Sequence, residues 1–278
     1  MAGKEGAPAD ADVLFDICRE YARKRTGTSR NARGCPETPG NVRKCPSGGF
    51  SRKQFLRDIR QGTGGRERMA VLTVDCLELG QLPTNTYLVM NTETRECLII
   101  DPSDGVENIV SWLDTHQAKP VSIWLTHGHD DHMGSVSDLK RKYGLLCYVS
   151  KEEEEFCESI YYNLSTMFGH PRTIEPDLFF LDGQKVKVLG TEATVLLTPG
   201  HTVGSVCYYF PQEKLLFSGD TLFEESVGRS DFPGGSTLSL IASVKRLMML
   251  PDDVTVLPGH GGRTSIGHER KCNPYVNR

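Results

Sequence analysis

The chain has 278 residues, 38% of them hydrophobic and 24% charged, with a formal net charge of −4, which suits one large soluble domain or one domain with an appendage. It has no run of about 18 apolar residues and no basic-then-apolar leader, so a membrane span and a secretion signal are not expected and the cytoplasm is the default location. The charge is uneven: residues 1–68 hold 15 Lys+Arg against 8 Asp+Glu, a balance of +7, while the remainder stands at −11.

That first segment offers one modest helix over 11–24 and a short amphipathic piece over 50–59, separated by a stretch rich in Gly, Pro, Ser, Asn and Arg. It has few aromatic residues to stack on bases, so it reads as a basic, partly disordered extension rather than a nucleic-acid tether. Met69 opens a segment that looks like a complete domain start, so residues 1–68 also fit a misplaced start codon. The nine cysteines are scattered without a Cys-x-x-Cys pair, which points to reduced thiols, and the spacing of Cys18, Cys35 and Cys45 fits no zinc finger or ribbon.

From residue 69 to 278 the texture becomes that of regular short elements. Strands are expected over 69–74, 86–89, 96–100, 121–125, 145–149, 186–189, 193–197, 205–210, 215–217 and 254–257, and helices over 106–115, 135–143 and 237–250. Residues 156–180 are the least regular and are placed to cover a site as an insertion. Short strands with interspersed helices suggest a layered α/β or α+β body. The acids of residues 151–155 read as a solvated helix start.

The chemistry is concentrated at strand ends. Thr126-His127-Gly128-His129-Asp130-Asp131-His132 follows the apolar run 121–125. It sets three imidazoles and a carboxylate where packing has no use for them and where a borderline cation such as zinc does. His201 and His260 each follow an apolar strand and a Pro-Gly turn, and Asp220 follows residues 215–219 in the same way. A strand gives such a side chain a rigid base just beyond the sheet edge. Five histidines and two aspartates exceed what one tetrahedral ion needs and suit two ions about 3.5–4 Å apart. His127 and His129 lie two apart and point the same way from extended chain, whereas Asp131 and His132 diverge toward a second ion. Asp220, alone on its strand end, is the natural bridge. Asp130 reads equally as a support for its neighbours or as an exposed loop acid, and His116, His170 and His268 read as surface or structural histidines.

The order His-x-His-x-Asp-His, then isolated His, Asp and His at strand ends, resembles the metallo-β-lactamase superfamily of hydrolases across residues 70–275. The resemblance implies an α+β fold, a four-layer αββα sandwich with metals at one edge of its sheets. It implies His127, His129 and His201 on one ion, Asp131, His132 and His260 on the other, and Asp220 between them. The segments around Asn85, Asp220 and residues 228–235 are similar to the glyoxalase II-like (hydroxyacylglutathione hydrolase-like) branch, which cleaves thioesters. Enzymes of that branch carry a helical domain after the last metal histidine, and here only 18 residues follow His260. Arg229 lies where such enzymes place a cationic substrate contact and is expected to bind a substrate carboxylate.

The expected reaction is hydrolysis by a hydroxide held between two divalent ions, zinc first and iron or manganese otherwise, with Asp131 orienting the nucleophile. A thiolate leaving group, with a pKa of about 8.5, needs little help from a general acid. The partner is then a small acyl thioester, with no nucleic acid and no membrane. The alternatives are a persulfide dioxygenase with one iron, or a lactonase or phosphodiesterase (nuclease) of the same superfamily; the −11 balance of the body disfavours an RNA track. A flavodiiron reductase would show Glu in place of His129 and a flavin domain, and a binding protein without turnover would have no need of seven intact ligands.

Overall fold

The computed structural model describes residues 72–276. The expectations for residues 1–71, including both early helices and Cys18, Cys35 and Cys45, lie outside the described residues.

Alternation along the strands builds the layers. In β3 (Glu96–Ile100), Leu98 and Ile100 face one core while Cys97 and Ile99 face another, as period-two side chains must. β2 (Thr84–Asn91) is buried along its whole length, with Tyr87 and Val89 on the first core and Leu88 and Met90 on the second. Its apolar residues, Tyr87 to Met90, therefore run consecutively instead of alternating with polar ones. β1 (Leu72–Leu79) and β3 flank β2 antiparallel. β4 (Lys119–Trp124), β5 (Cys147–Ser150) and β6 (Leu178–Phe180) extend that sheet in parallel.

The second sheet is a meander, β7 (Lys185–Val188), β8 (Thr191–Leu197), β9 (Val206–Phe210) and β10 (Leu215–Gly219), continued by β13 (Thr255–Pro258) parallel to β10 and by β14 (Thr264–Ser265). A small hairpin, β11 (Leu222–Phe223) with β12 (Ser226–Val227), stands apart from both sheets.

Three apolar clusters separate four layers. Between the sheets, Trp124 meets Phe180 and Tyr208 with ring centroids 5.0 Å away. Outside the first sheet lie α1 (Val106–Thr115), through Ile109, Trp112 and Leu113, and α3 (Val136–Tyr143), through Val136 and Leu139. The four-residue α2 (Asp130–Met133) precedes α3, and the short α4 (Glu154–Glu158) follows β5. Outside the second sheet lie α5 (Thr237–Leu247), through Leu240, Val244 and Leu247, and α6 (Ile266–Cys272), through Ile266. This is the αββα order expected from the resemblance.

Local signals end several elements. Gly144 closes α3 in the left-handed region at φ 69°, the usual helix C-terminal signal. The Ser236 Oγ accepts from Ser239 N at the start of α5, a side-chain N-cap. The helix expected over 237–250 stops at Leu247. The buried thiols Cys97, Cys147, Cys157 and Cys207 are not joined in disulfides. Among the described residues no helix is long and apolar enough to cross a membrane.

Candidate metal centre

Topology brings the strand-end residues to one edge. β3 and β4 are parallel, so Asp101 and His127 leave the same edge of the first sheet. In the second sheet, β8 and β10 both run antiparallel to β9 while β13 runs parallel to β10. His201, Asp220 and His260 therefore also share one edge. The two edges are fastened together: Asn85 N donates to Gly259 O at 2.7 Å, Tyr87 Oη to Pro258 O at 2.6 Å, and Thr84 forms a bridge with His260.

All seven expected ligands converge there. His127 Nε2 lies 3.0 Å from His129 Nδ1, which lies 2.9 Å from His201 Nε2. His260 Nε2 is 3.3 Å and His132 Nε2 3.6 Å from Asp131 Oδ2. Asp220 stands between the groups, with Oδ1 3.4 Å from His132 Nε2 and Oδ2 3.5 Å from both His201 and His260. Two separate triads result, His127–His129–His201 and Asp131–His132–His260, linked by a third group, His127–His132–Asp220, whose aspartate reaches both. His132 Nε2 and Asp220 Oδ1 are buried and have no hydrogen-bond partner within the protein. Leaving such atoms unpaired costs about 1–3 kcal/mol each. A cation satisfies both at once, so the residues fit a pair of divalent ions.

The outer nitrogens fix which atom faces inward. His201 Nδ1 donates to Arg229 O at 2.7 Å and His260 Nδ1 to Pro83 O at 2.9 Å; a carbonyl only accepts, so each Nε2 is left with its lone pair. His132 Nδ1 donates to Asp101 Oδ2 at 3.0 Å. The Thr126 hydroxyl donates to that same oxygen at 2.7 Å and is thereby free to accept from His127 Nδ1 at 3.1 Å. His129 alone turns its Nδ1 inward, its ring centroid lying 6.5 Å from that of Phe156 and 6.1 Å from that of Phe232. Partners of this kind orient ligands and set their tautomer.

The two triads differ in charge. Burial lowers His127 well below the usual imidazole pKa and His129 to about 3, so both are neutral donors at pH 7. Burial also opposes charge on His132, but Asp131, Asp220 and Asp101 outweigh it and raise its pKa. Burial pushes Asp131 and Asp220 up, yet His132 with its neighbours prevails, holding Asp131 at about 2 and Asp220 well below the carboxylate range. The second triad thus starts as a compact ion-pair cluster.

Two supporting acids escaped the sequence reading. Asp101, 1% exposed, accepts from Thr126 N, Thr126 Oγ1 and His132 Nδ1. It follows β3 as Asp220 follows β10, a signal that could have revealed it. Glu153 corrects the reading of residues 151–155 as solvated: it is 0% exposed and accepts from Gly128 N at 2.7 Å and Gly204 N at 2.8 Å. It joins the loop of His127 and His129 to the loop after His201. Of the two readings of Asp130, the structure gives the supporting one, since it is buried and receives two hydrogen bonds from Arg172, which also grips Asp104. Arg172 thereby ties the insertion over 156–180 to the metal loop. His116 stacks on Trp112 at 4.1 Å, a structural role.

Arg229 differs from all of these. Its guanidinium pairs with Asp231 at 2.7 Å, both side chains more than half exposed, and lies 3.8 Å over the Phe232 ring.

Gly259 precedes His260 where a Cβ would collide with Asp220 Oδ1 and His132 Cε1. The Pro-Gly turn is therefore needed for close packing around the bridge.

A family model described as the metallo-beta-lactamase superfamily matches residues 79–260. The chain is 31% identical over 210 residues to hydroxyacylglutathione hydrolase GloC of Haemophilus influenzae, covering 74% of this chain and 99% of that one. Among solved structures, BLEG-1 B3 metallo-beta-lactamase is similar at TM-score 0.71 and 34% identity, covering 74% of this chain and all of that one. TTHA1623 in a di-iron-bound form is similar at TM-score 0.65 and 36% identity, over 73% of this chain and all of that one.

Proposed function

The chain belongs to the metallo-beta-lactamase superfamily of metal-dependent hydrolases, and from that premise we propose that it hydrolyses an acyl thioester of the hydroxyacylglutathione type. The single observation that carries this choice of substrate is the similarity to GloC, which extends over 99% of that hydrolase. Bound at the seven ligands, two divalent cations would supply an acidified water and Lewis-acid polarisation of the carbonyl. His127, His129, His201 and Asp220 would hold one cation, and Asp131, His132, His260 and Asp220 the other. Zinc suits this nitrogen and oxygen set; iron is the second reading, favoured by the di-iron form of TTHA1623.

The protein's own groups then have distinct tasks. The neutral imidazoles of His127 and His129 give lone pairs without first losing protons. Asp131 Oδ2, 3.0 Å from the Thr84 hydroxyl, is held to orient the attacking water and accept its proton. Phe156 and Phe232 beside His129 wall the centre against bulk water. Arg229 takes a carboxylate of the substrate, for which it must exchange Asp231. The departing thiolate leaves without a dedicated acid.

Assay of metal-loaded protein against S-lactoylglutathione, other acyl thioesters, a lactone and a phosphodiester tests this reading. Thioester turnover is expected to dominate; turnover of the phosphodiester without any thioester overturns it.

A further inference from the structure

Where the turn of the β11–β12 hairpin meets α6 stands a second group of ligand-type side chains, none of them among the seven ligands. Glu225 lies between the two strands of the hairpin, and His268 and Cys272 lie on α6. The Glu225 carboxylate, the His268 imidazole and the Cys272 thiol each offer one ligand atom, all within 4.8 Å of one another, and His268 Nε2 is 3.0 Å from Glu225 Oε1. We propose that Glu225, His268 and Cys272 form a peripheral site for one zinc-class cation, replacing the reading of His268 as a surface or structural histidine.

The donor set is one carboxylate oxygen, one imidazole nitrogen and one sulfur, the mixture that zinc and its cobalt surrogate accept and that magnesium and calcium do not. The spacing follows from the helix: positions 268 and 272 are one turn apart, so both side chains project from one face of α6. Bonds of about 2.0–2.3 Å set tetrahedral ligands about 3.3–3.8 Å apart, so modest rotations of these exposed side chains close the triad.

Their backbones are already fixed. Glu225 N donates to Glu269 Oε2 at 2.9 Å, and Glu269, 0% exposed, also accepts from Thr264 Oγ1 and from Asn273 Nδ2. Asn273 Nδ2 reaches across to Ser226 O at 3.0 Å, and the Ser265 Oγ caps α6 by accepting from His268 N. One polar knot thus holds the hairpin and the helix in register and presents the three donors to the same point. Three protein ligands leave a fourth position for water. An ion there would fasten to α6 the segment that runs from Asp220 through the hairpin to Arg229.

Cobalt(II) titration of the full-length protein tests the site, because the seven centre ligands contain no sulfur. A thiolate-to-cobalt charge-transfer band in the near ultraviolet therefore reports the peripheral site whether or not the centre is loaded and whatever its substrate. About one equivalent of cobalt beyond what the centre takes up is expected to develop the band, which disappears in Cys272→Ser, while His268→Ala and Glu225→Gln each weaken cobalt binding at this site about tenfold or more. Cys272 is exposed and serine is nearly isosteric, so that variant keeps the fold and its basal turnover. A wild-type protein without the band, or a band that survives in Cys272→Ser, overturns the proposal.

Discussion

His132 and Arg229 serve the same sheet edge under opposite conditions. His132 is fully buried, its Nδ1 held by an aspartate that itself receives two further hydrogen bonds. Arg229 is more than half exposed, and its partner Asp231 is more exposed still. At the buried end each side chain is determined by several others, and a change propagates through an unsatisfied network. At the exposed end one solvated ion pair and one ring contact set the position, and such pairs contribute little. On the proposed function, the difference puts reaction chemistry in the interior of the edge and choice of substrate at its rim, so the two would vary independently.

The hardest test of that division is Asp101→Ala. It leaves Thr126 N, Thr126 Oγ1 and His132 Nδ1 without an acceptor in a buried place, at about 1–3 kcal/mol each, and should lower metal affinity and kcat/KM about 10–100-fold or more. Metal content, thermal midpoint and turnover should fall together; an unchanged metal-to-protein ratio would break the comparison.

Glu153→Gln comes next, because an amide must turn a donor toward the amide of Gly128 or of Gly204. Urea unfolding should show a loss of about 1–3 kcal/mol. This variant also carries a pH signature. Burial raises the Glu153 carboxyl to about 7, against the pull of Thr202 and the two glycine amides. Since the folded value lies above the unfolded one, the folded protein prefers the protonated acid. Its stabilising effect is complete below about pH 4.5 and is lost as pH rises through about 7. The wild-type advantage over Glu153→Gln should therefore shrink between pH 5 and 8, by at most about 3 kcal/mol. A gap that stays constant or widens with pH would show that the acid is ionised throughout.

Rim substitutions should behave differently. Arg229→Ala keeps the main-chain carbonyl that holds His201, so metal content should be unchanged and stability should move by no more than about 0.5 kcal/mol. Michaelis constants for carboxylate-bearing thioesters should rise about tenfold, with little change for an uncharged one. Asp231→Asn is the mildest. It removes the competitor for the guanidinium and should lower the same constants about two- to threefold, detectable in steady-state kinetics on matched substrates.

This contrast also explains what could be read from the chain. Elements whose cause is local were legible: residues 96–100 and 106–115 begin and end where expected, and the candidate ligands stood out because His127, His201, Asp220 and His260 each come just after an apolar strand. Glu153 was not legible. It is one of four consecutive glutamates, and only the arrival of Gly128 and Gly204, 25 and 51 residues away, makes it the buried one. Arg172 is similar, since its partners Asp130 and Asp104 lie 42 and 68 positions upstream. Sequence patterns record which residue types stand ready at a strand end, whereas supporting roles are conferred by distant chain.

The tie between Asn85 and Pro258 bridges 173 positions, so the two halves of the candidate centre come from distant parts of the chain. A chain that has formed only its first sheet already displays His127, His129, Asp131 and His132, enough to chelate but without His201, Asp220 or His260. Contacts of such long range are the slow ones in folding. Metal captured early would therefore sit in a flexible half-site, whereas metal captured after the sheets dock acts as a rivet across the seam and stabilises the native state alone. The edge that carries the candidate centre is thus also the seam that joins the two sheets.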